Sequence, residues 1–190
     1  MQGLNIGFAL CGSYCTFSKV LPVIGEFAAR GANIHPIMSH NAYSTDTRFG
    51  KAADFAAELE EITGSEVLHT IAGVEPIGPQ KTLDVLVIAP CTGNTLAKLA
   101  AGIADTSVTL AAKAHLRNAR PLVIAVSTND GLAAAAKNIG MLQNMKNIYF
   151  APYGQDDSLE KPNSLVAHFL RLPETVEAAL DGRQIQPLLV

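Results

Sequence analysis

The sequence predicts a single doubly wound α/β domain built on a parallel sheet, and three observations carry that prediction. Short apolar runs alternate with longer amphipathic or alanine-rich runs along the whole chain. The clearest apolar runs, residues 85–89 and 121–126, show no polar alternation, as expected of strands covered on both faces. Of the 190 residues, 48% are hydrophobic and 16% charged, a balance that excludes disorder and allows a substantial core.

Each element follows from local chemistry. Residues 4–10 form a short apolar run ending at Gly12-Ser13, which predicts the first strand and its turn. The pattern over 16–30 is helical, with Gly31 placed to terminate it. Residues 32–38 are the second strand, reached by a right-handed crossover. Residues 41–50 are polar and loop-like, an Ala/Glu-rich helix is expected over 52–62, and a short strand over 66–71. Two prolines and two glycines within 73–81 predict a loop. The third long strand covers 83–89, and the fourth, fully apolar and central, covers 121–126. An alanine-rich helix is expected over 132–139, a fifth strand over 147–150 and a turn-rich stretch over 152–162. The last helix is expected over 164–180, kinked or broken at Pro173. Residues 1–190 thus form one domain, whose tail, 182–190, has no packing pattern and is expected to dock on a neighbouring subunit.

Composition excludes several classes of function. A net charge of −3 gives no electrostatic reason to bind nucleic acid or an anionic membrane. The N-terminus lacks a basic segment followed by an apolar run, and no apolar stretch approaches membrane-spanning length, so a cytoplasmic protein is expected. Cys11, Cys15 and Cys91 have neither zinc-like spacing nor an even count, which argues against a structural metal and against disulfides. So few surface charges predict a homo-oligomer.

The most informative stretch is 84–110. A buried strand runs into Pro90-Cys91-Thr92-Gly93-Asn94-Thr95, which opens a helix ended by Gly102, and a second helix starts at Asp105. Ligands of open α/β sheets sit at the carboxyl ends of the strands, where helix N–H groups are free. Asn94 or Thr95 can cap the first helix and Asp105 the second. Capping accounts for two polar residues, not for four small or polar residues in succession. At the first strand, Gly7 to Ser13 has the wrong glycine spacing for a dinucleotide fingerprint. Ser39 and His40 stand where such a site places an acid, and a hydroxyl there suits a phosphate.

The run from Ala89 to Asp105 is similar to the Pro-Ala-Thr-Ala-Asn-Thr…Lys…Gly-Ile-Ala-Asp signature of the flavoprotein family. That family includes phosphopantothenoylcysteine decarboxylase, peptidyl-cysteine decarboxylases and flavin prenyltransferases. The resemblance covers residues 3–130 and implies a Rossmann-like flavoprotein fold with FMN as cofactor. It implies that Gly12, Ser13 and Ser39 hold the FMN phosphate, and that Pro90, Thr92, Gly93, Asn94 and Thr95 line the rest of the cofactor. The decarboxylases use a histidine fourteen residues before the signature proline. Here that position is Pro76, which cannot transfer a proton. Their Pro-Ala-Met-Asn motif reads Val126-Ser127-Thr128-Asn129, retaining only the asparagine. His69 lies nearby and reads as structural, as do Cys91, Cys11 and Cys15.

A narrower resemblance within the family comes from Asp46-Thr47-Arg48-Phe49-Gly50, Ser127 to Leu132, Tyr153 to Asp157 and Lys161 to Ser164. It points to one component of a two-component oxidoreductase that, in spore-forming bacteria, aromatises a cyclic dihydrodicarboxylate. It implies an A subunit as partner, carrying NADP. Arg48 and Asn129 are then the expected substrate contacts, because a guanidinium grips a carboxylate bidentately. Lys137 reads as a solvated charge. A free-standing FMN-dependent decarboxylase and a non-catalytic scaffold for the A subunit are the alternatives.

Overall fold

The uninterrupted apolar runs form the parallel centre of a sheet, because each offers side chains to both helical layers. In the computed structural model, which describes residues 1–190, the strands are β1 (Asn5–Leu10), β2 (Asn33–Met38), β3 (Val85–Cys91), β4 (Leu122–Thr128), β5 (Ile148–Phe150), β6 (Tyr153–Asp157) and β7 (Lys161–Ala167). They form one sheet in the order β2-β1-β3-β4-β7-β6. The outer edge of β4 serves two partners. Leu122 to Ile124 pair in parallel with β5, whereas Ser127 and Thr128 pair antiparallel with β7. The β3–β4 register shifts between Ile88 and Cys91, where Pro90 has no N–H to give the ladder.

The helices are α1 (Phe17–Ala29), α2 (His40–Ser44), α3 (Ala52–Thr63), α4 (Ile71–Val74), α5 (Ile77–Gln80), α6 (Gly93–Ala100), α7 (Ser107–Leu116), α8 (Ala136–Gln143) and α9 (Leu172–Leu180). A 3-10 turn over Tyr14–Thr16 leads into α1. Helix α1 packs on β2 and β3, and α9 on β3, β4 and β5, while α7 packs on β2, β3 and β4 together with α4, α5 and α6. One continuous cluster of 49 buried side chains joins these layers, so the chain has a single core. No helix is long and apolar enough to cross a membrane.

Several local expectations give way to tertiary contacts. Within 41–50, Ser39 accepts a hydrogen bond from the Ala42 N–H and nucleates α2 where a loop was expected. The strand expected over 66–71 shrinks to one bridge between Leu68 and Ile37. The proline-rich loop over 73–81 contains the single-turn helices α4 and α5. After β4, the Ala133 and Ala135 N–H groups both bond to the Asp130 carbonyl, which delays α8 to Ala136.

The largest difference lies beyond residue 152. The turn-rich stretch and the expected start of the last helix form the antiparallel hairpin β6–β7. Pro173 lies in the first turn of α9, where a missing N–H costs nothing, and so it starts the helix instead of kinking it. The tail runs beside its own chain. The Tyr153 N–H bonds to the Leu188 carbonyl at 3.0 Å and the Val190 N–H to the Tyr153 carbonyl at 3.2 Å. The Gln184 side chain imitates a strand by bonding both the N–H and the carbonyl of Phe150.

Candidate functional site

The carboxyl ends of β1, β3 and β4 release their chains side by side, and a cavity of about 680 Å³ opens there. This volume falls within the ~300–1,000 Å³ range of small-molecule sites. Gly12 and Ser13 leave β1, Thr92, Gly93 and Asn94 leave β3, and Ser127 to Asp130 end β4, so all three turns reach the cavity. The remaining walls come from α1, the segment between α2 and α3, and the β6–β7 hairpin.

The floor is tied together by hydroxyl groups. Ser13 Oγ and Ser127 Oγ lie 2.8 Å apart, bridging the β1 and β4 turns across the end of β3. Thr92 donates to Thr95 at 3.4 Å, and the Thr95 hydroxyl lies 3.2 Å from the Cys11 sulfur beneath the floor. Gly93 is required by close approach: a Cβ there would stand 2.7 Å from both Asp130 Oδ1 and Thr128 Oγ1. Those two atoms also bond to each other, the Thr128 hydroxyl donating to the Asp130 carboxylate. The Ser164 hydroxyl donates to the Thr128 carbonyl at 3.3 Å and joins the hairpin to the β4 turn.

Of the ten residues expected to bind cofactor or substrate, seven meet in this cavity: Gly12, Ser13, Arg48, Thr92, Gly93, Asn94 and Asn129. Pro90 is buried in β3, and Thr95, 6% exposed, sits below the floor. Ser39 stands outside the cavity lining as the cap of α2. The Tyr14 ring lies beside Gly12, and its hydroxyl donates to the Asn41 carbonyl at 2.7 Å, tying the first turn to α2. The cap of α6 is Thr92 rather than Asn94 or Thr95, and its side chain makes no capping bond to the backbone. Asp105 does not cap α7. Thr106 does, while Asp105 pairs with Lys98 at 2.8 Å, which holds its carboxyl below the usual range.

The side chains weighed as catalytic substitutes lie elsewhere. His69 stacks on Tyr43, with ring centroids 3.7 Å apart. Pro76 precedes α5 and is not part of the cavity. Cys91 is fully buried, and burial pushes its thiol well up, so it stays protonated. Sequence reasoning did not select Lys19, Thr128, Asp130, Asp156 and Lys161, all of which line the cavity. Thr128 and Asp130 flank the asparagine that was selected, and the two hairpin residues belong to segments of the narrower resemblance. Lys19 carries no signal, because one lysine on an amphipathic helix looks like a solvated charge.

A strand-end cavity built from these turns is what the signature segment implied, and the sequence model of the flavoprotein family matches residues 1–171. The chain belongs to the flavoprotein family. Among curated relatives, this flavoprotein is 47% identical to the dipicolinate synthase B subunit of Bacillus subtilis over 190 residues, covering all of this chain and 95% of the relative. Among solved structures, it superposes on the dipicolinate synthase B subunit of Bacillus halodurans with a TM-score of 0.91 at 44% identity, covering 100% of this chain and 97% of that one. The FMN-dependent cysteine decarboxylase SpaF shares the fold alone, with a TM-score of 0.69 at 22% identity, covering 94% of this chain and 95% of that one.

Proposed function

We propose that this flavoprotein acts as the B subunit of a dipicolinate synthase, with FMN and a small cyclic dicarboxylate sharing the strand-end cavity. The observation that carries this reading is the full-length likeness to the B subunits of two dipicolinate synthases, at 47% and 44% identity. The donor set suits both ligands. Ser13, Thr92 and Asn94 offer hydroxyl and amide groups to a phosphate or a polar ring edge, and Arg48 offers a guanidinium to a carboxylate. Bound FMN supplies a two-electron acceptor, and a nicotinamide on the A subunit would supply the same capacity.

Aromatising dihydrodipicolinate removes two electrons and two protons. The residues of this chain would bind and orient the ring for that loss. Arg48 holds one carboxylate, Asn129 presents its amide from the β4 turn, and the hairpin limits water on the outer side. Asp130 is the cavity carboxylate placed to accept a released proton, since Asp156 is engaged by Lys161 at 2.6 Å. A second reading, a scaffold that binds no flavin, has one observation in its favour: Ser39 is used as a helix cap outside the cavity.

Purification with and without the A subunit separates the readings. The expected result is a chain that takes up FMN and raises the rate at which the A subunit forms dipicolinate from dihydrodipicolinate and NADP. A colourless chain that refuses FMN yet raises that rate supports the scaffold. A chain that neither binds the A subunit nor changes its rate overturns the assignment.

A further inference from the structure

Charge is divided unequally around the cavity. On the side of β4 and the hairpin, Asp156 is neutralised by Lys161, and Asp130 receives only the Thr128 hydroxyl. On the α1 side stand two cations, Lys19 and Arg48, and neither belongs to any ion pair of the molecule. Lys19 is in the first turn of α1. Arg48 projects from a turn closed by two hydrogen bonds, Thr47 N–H to the Gly50 carbonyl at 3.0 Å and Gly50 N–H to the Thr47 carbonyl at 3.1 Å. Its guanidinium lies 4.9 Å from the Phe49 ring centre. Phe17 of α1 meets Phe55 of α3 edge-on at 4.9 Å, which packs α1 against the helix that follows the Arg48 turn, and both cations line the cavity.

We propose that Lys19 is the second carboxylate anchor of this cavity and makes it selective for a dicarboxylate over a monocarboxylate. The inference rests on the reading of the cavity as a dicarboxylate site. One guanidinium satisfies one carboxylate, and a second carboxylate gains a charge-assisted bond only from a second cation. A lysine ammonium, a point charge on a flexible stem, can follow that second group without a fixed fork geometry. The Asp130 carboxylate on the opposite wall, which belongs to no ion pair, repels a dianion, so both of its charged groups turn toward α1. Lys19 is a specificity-determining residue in this arrangement, with no part in the electron transfer.

Calorimetric titration of the full chain, with FMN present and in metal-free buffer, tests this with pyridine-2,6-dicarboxylate and pyridine-2-carboxylate. The unsubstituted chain should prefer the dicarboxylate by about tenfold or more. Lys19→Met should weaken dicarboxylate binding about tenfold, leaving monocarboxylate binding, FMN affinity and Tm unchanged, and Lys19→Arg should restore most of the preference. Full dicarboxylate affinity in Lys19→Met overturns the role of Lys19 alone. A fall in FMN affinity in that variant assigns Lys19 to the cofactor phosphate and also overturns the proposal. If the unsubstituted chain binds neither pyridine acid, the dicarboxylate reading of the cavity fails, and the anchor fails with it.

Discussion

The two walls of the cavity are held by different forces. The α1 wall rests on apolar packing: Tyr14, Phe17 and Phe55 form an aromatic chain, with Phe17 fully buried, and the two cations above it, Lys19 and Arg48, belong to no ion pair. The β4 and hairpin wall rests on polar contacts: Ser127 to Ser13, Thr128 to Asp130, Ser164 to Thr128 and Asp156 to Lys161. A wall supported from beneath by apolar packing leaves its charges available for a ligand. A wall that uses its polar groups for its own construction has few to offer. This difference explains why the unpaired cations are confined to one side.

Removing the apolar support should produce the largest effect. Phe17→Ala deletes a ring at 0% exposure and should lower unfolding free energy by about 3–5 kcal/mol in urea denaturation. A loss below about 1 kcal/mol would show that packing does not hold this wall. Gly50→Ala strikes the same wall at the Arg48 turn. Gly50 has φ +150°, and a Cβ there would stand 2.8 Å from Phe55 Cζ. The expected cost is about 1–3 kcal/mol in stability, together with weaker dicarboxylate binding in titration. Unchanged binding would mean that the turn does not position Arg48. Ser13→Ala tests the polar wall and should have the smallest effect, about 1 kcal/mol by thermal unfolding, because it removes one 2.8 Å bond and leaves the buried Ser127 hydroxyl without that partner. A loss as large as that of Phe17→Ala would reverse the ranking of the two walls.

The legible parts of the molecule are those where one residue run answers to one force. The strand core over 85–89 and 121–126 was readable because parallel strands covered on both faces contain nothing but apolar residues. The turn at Thr92 to Asn94 was readable as a cavity wall because the chain leaves the sheet at the carboxyl ends of the strands in this topology. The hairpin was not. Residues 155–157 and 161–163 are exposed and, apart from Pro162, polar, and the two segments become strands because β4 projects Ser127 and Thr128 beyond the end of β5, leaving an edge to pair. Ser39 shows the same limit at one residue: the sequence marks a hydroxyl at a strand end but not whether it faces a ligand or caps the next helix.

Patterning along the chain was enough to set the doubly wound parallel sheet, the single core and the strand-end turns from which the cavity is built. These follow from apolar periodicity and turn chemistry, which act over a few residues. Which charged groups are free was settled by packing in three dimensions. Lys19, Arg48, Asp130, Asp156 and Lys161 come from separate segments, and their pairing depends on distances set by how α1, the α2–α3 segment, β4 and the hairpin pack. Coulombic attraction and hydrogen bonding depend on distance in space, which separation along the chain does not encode.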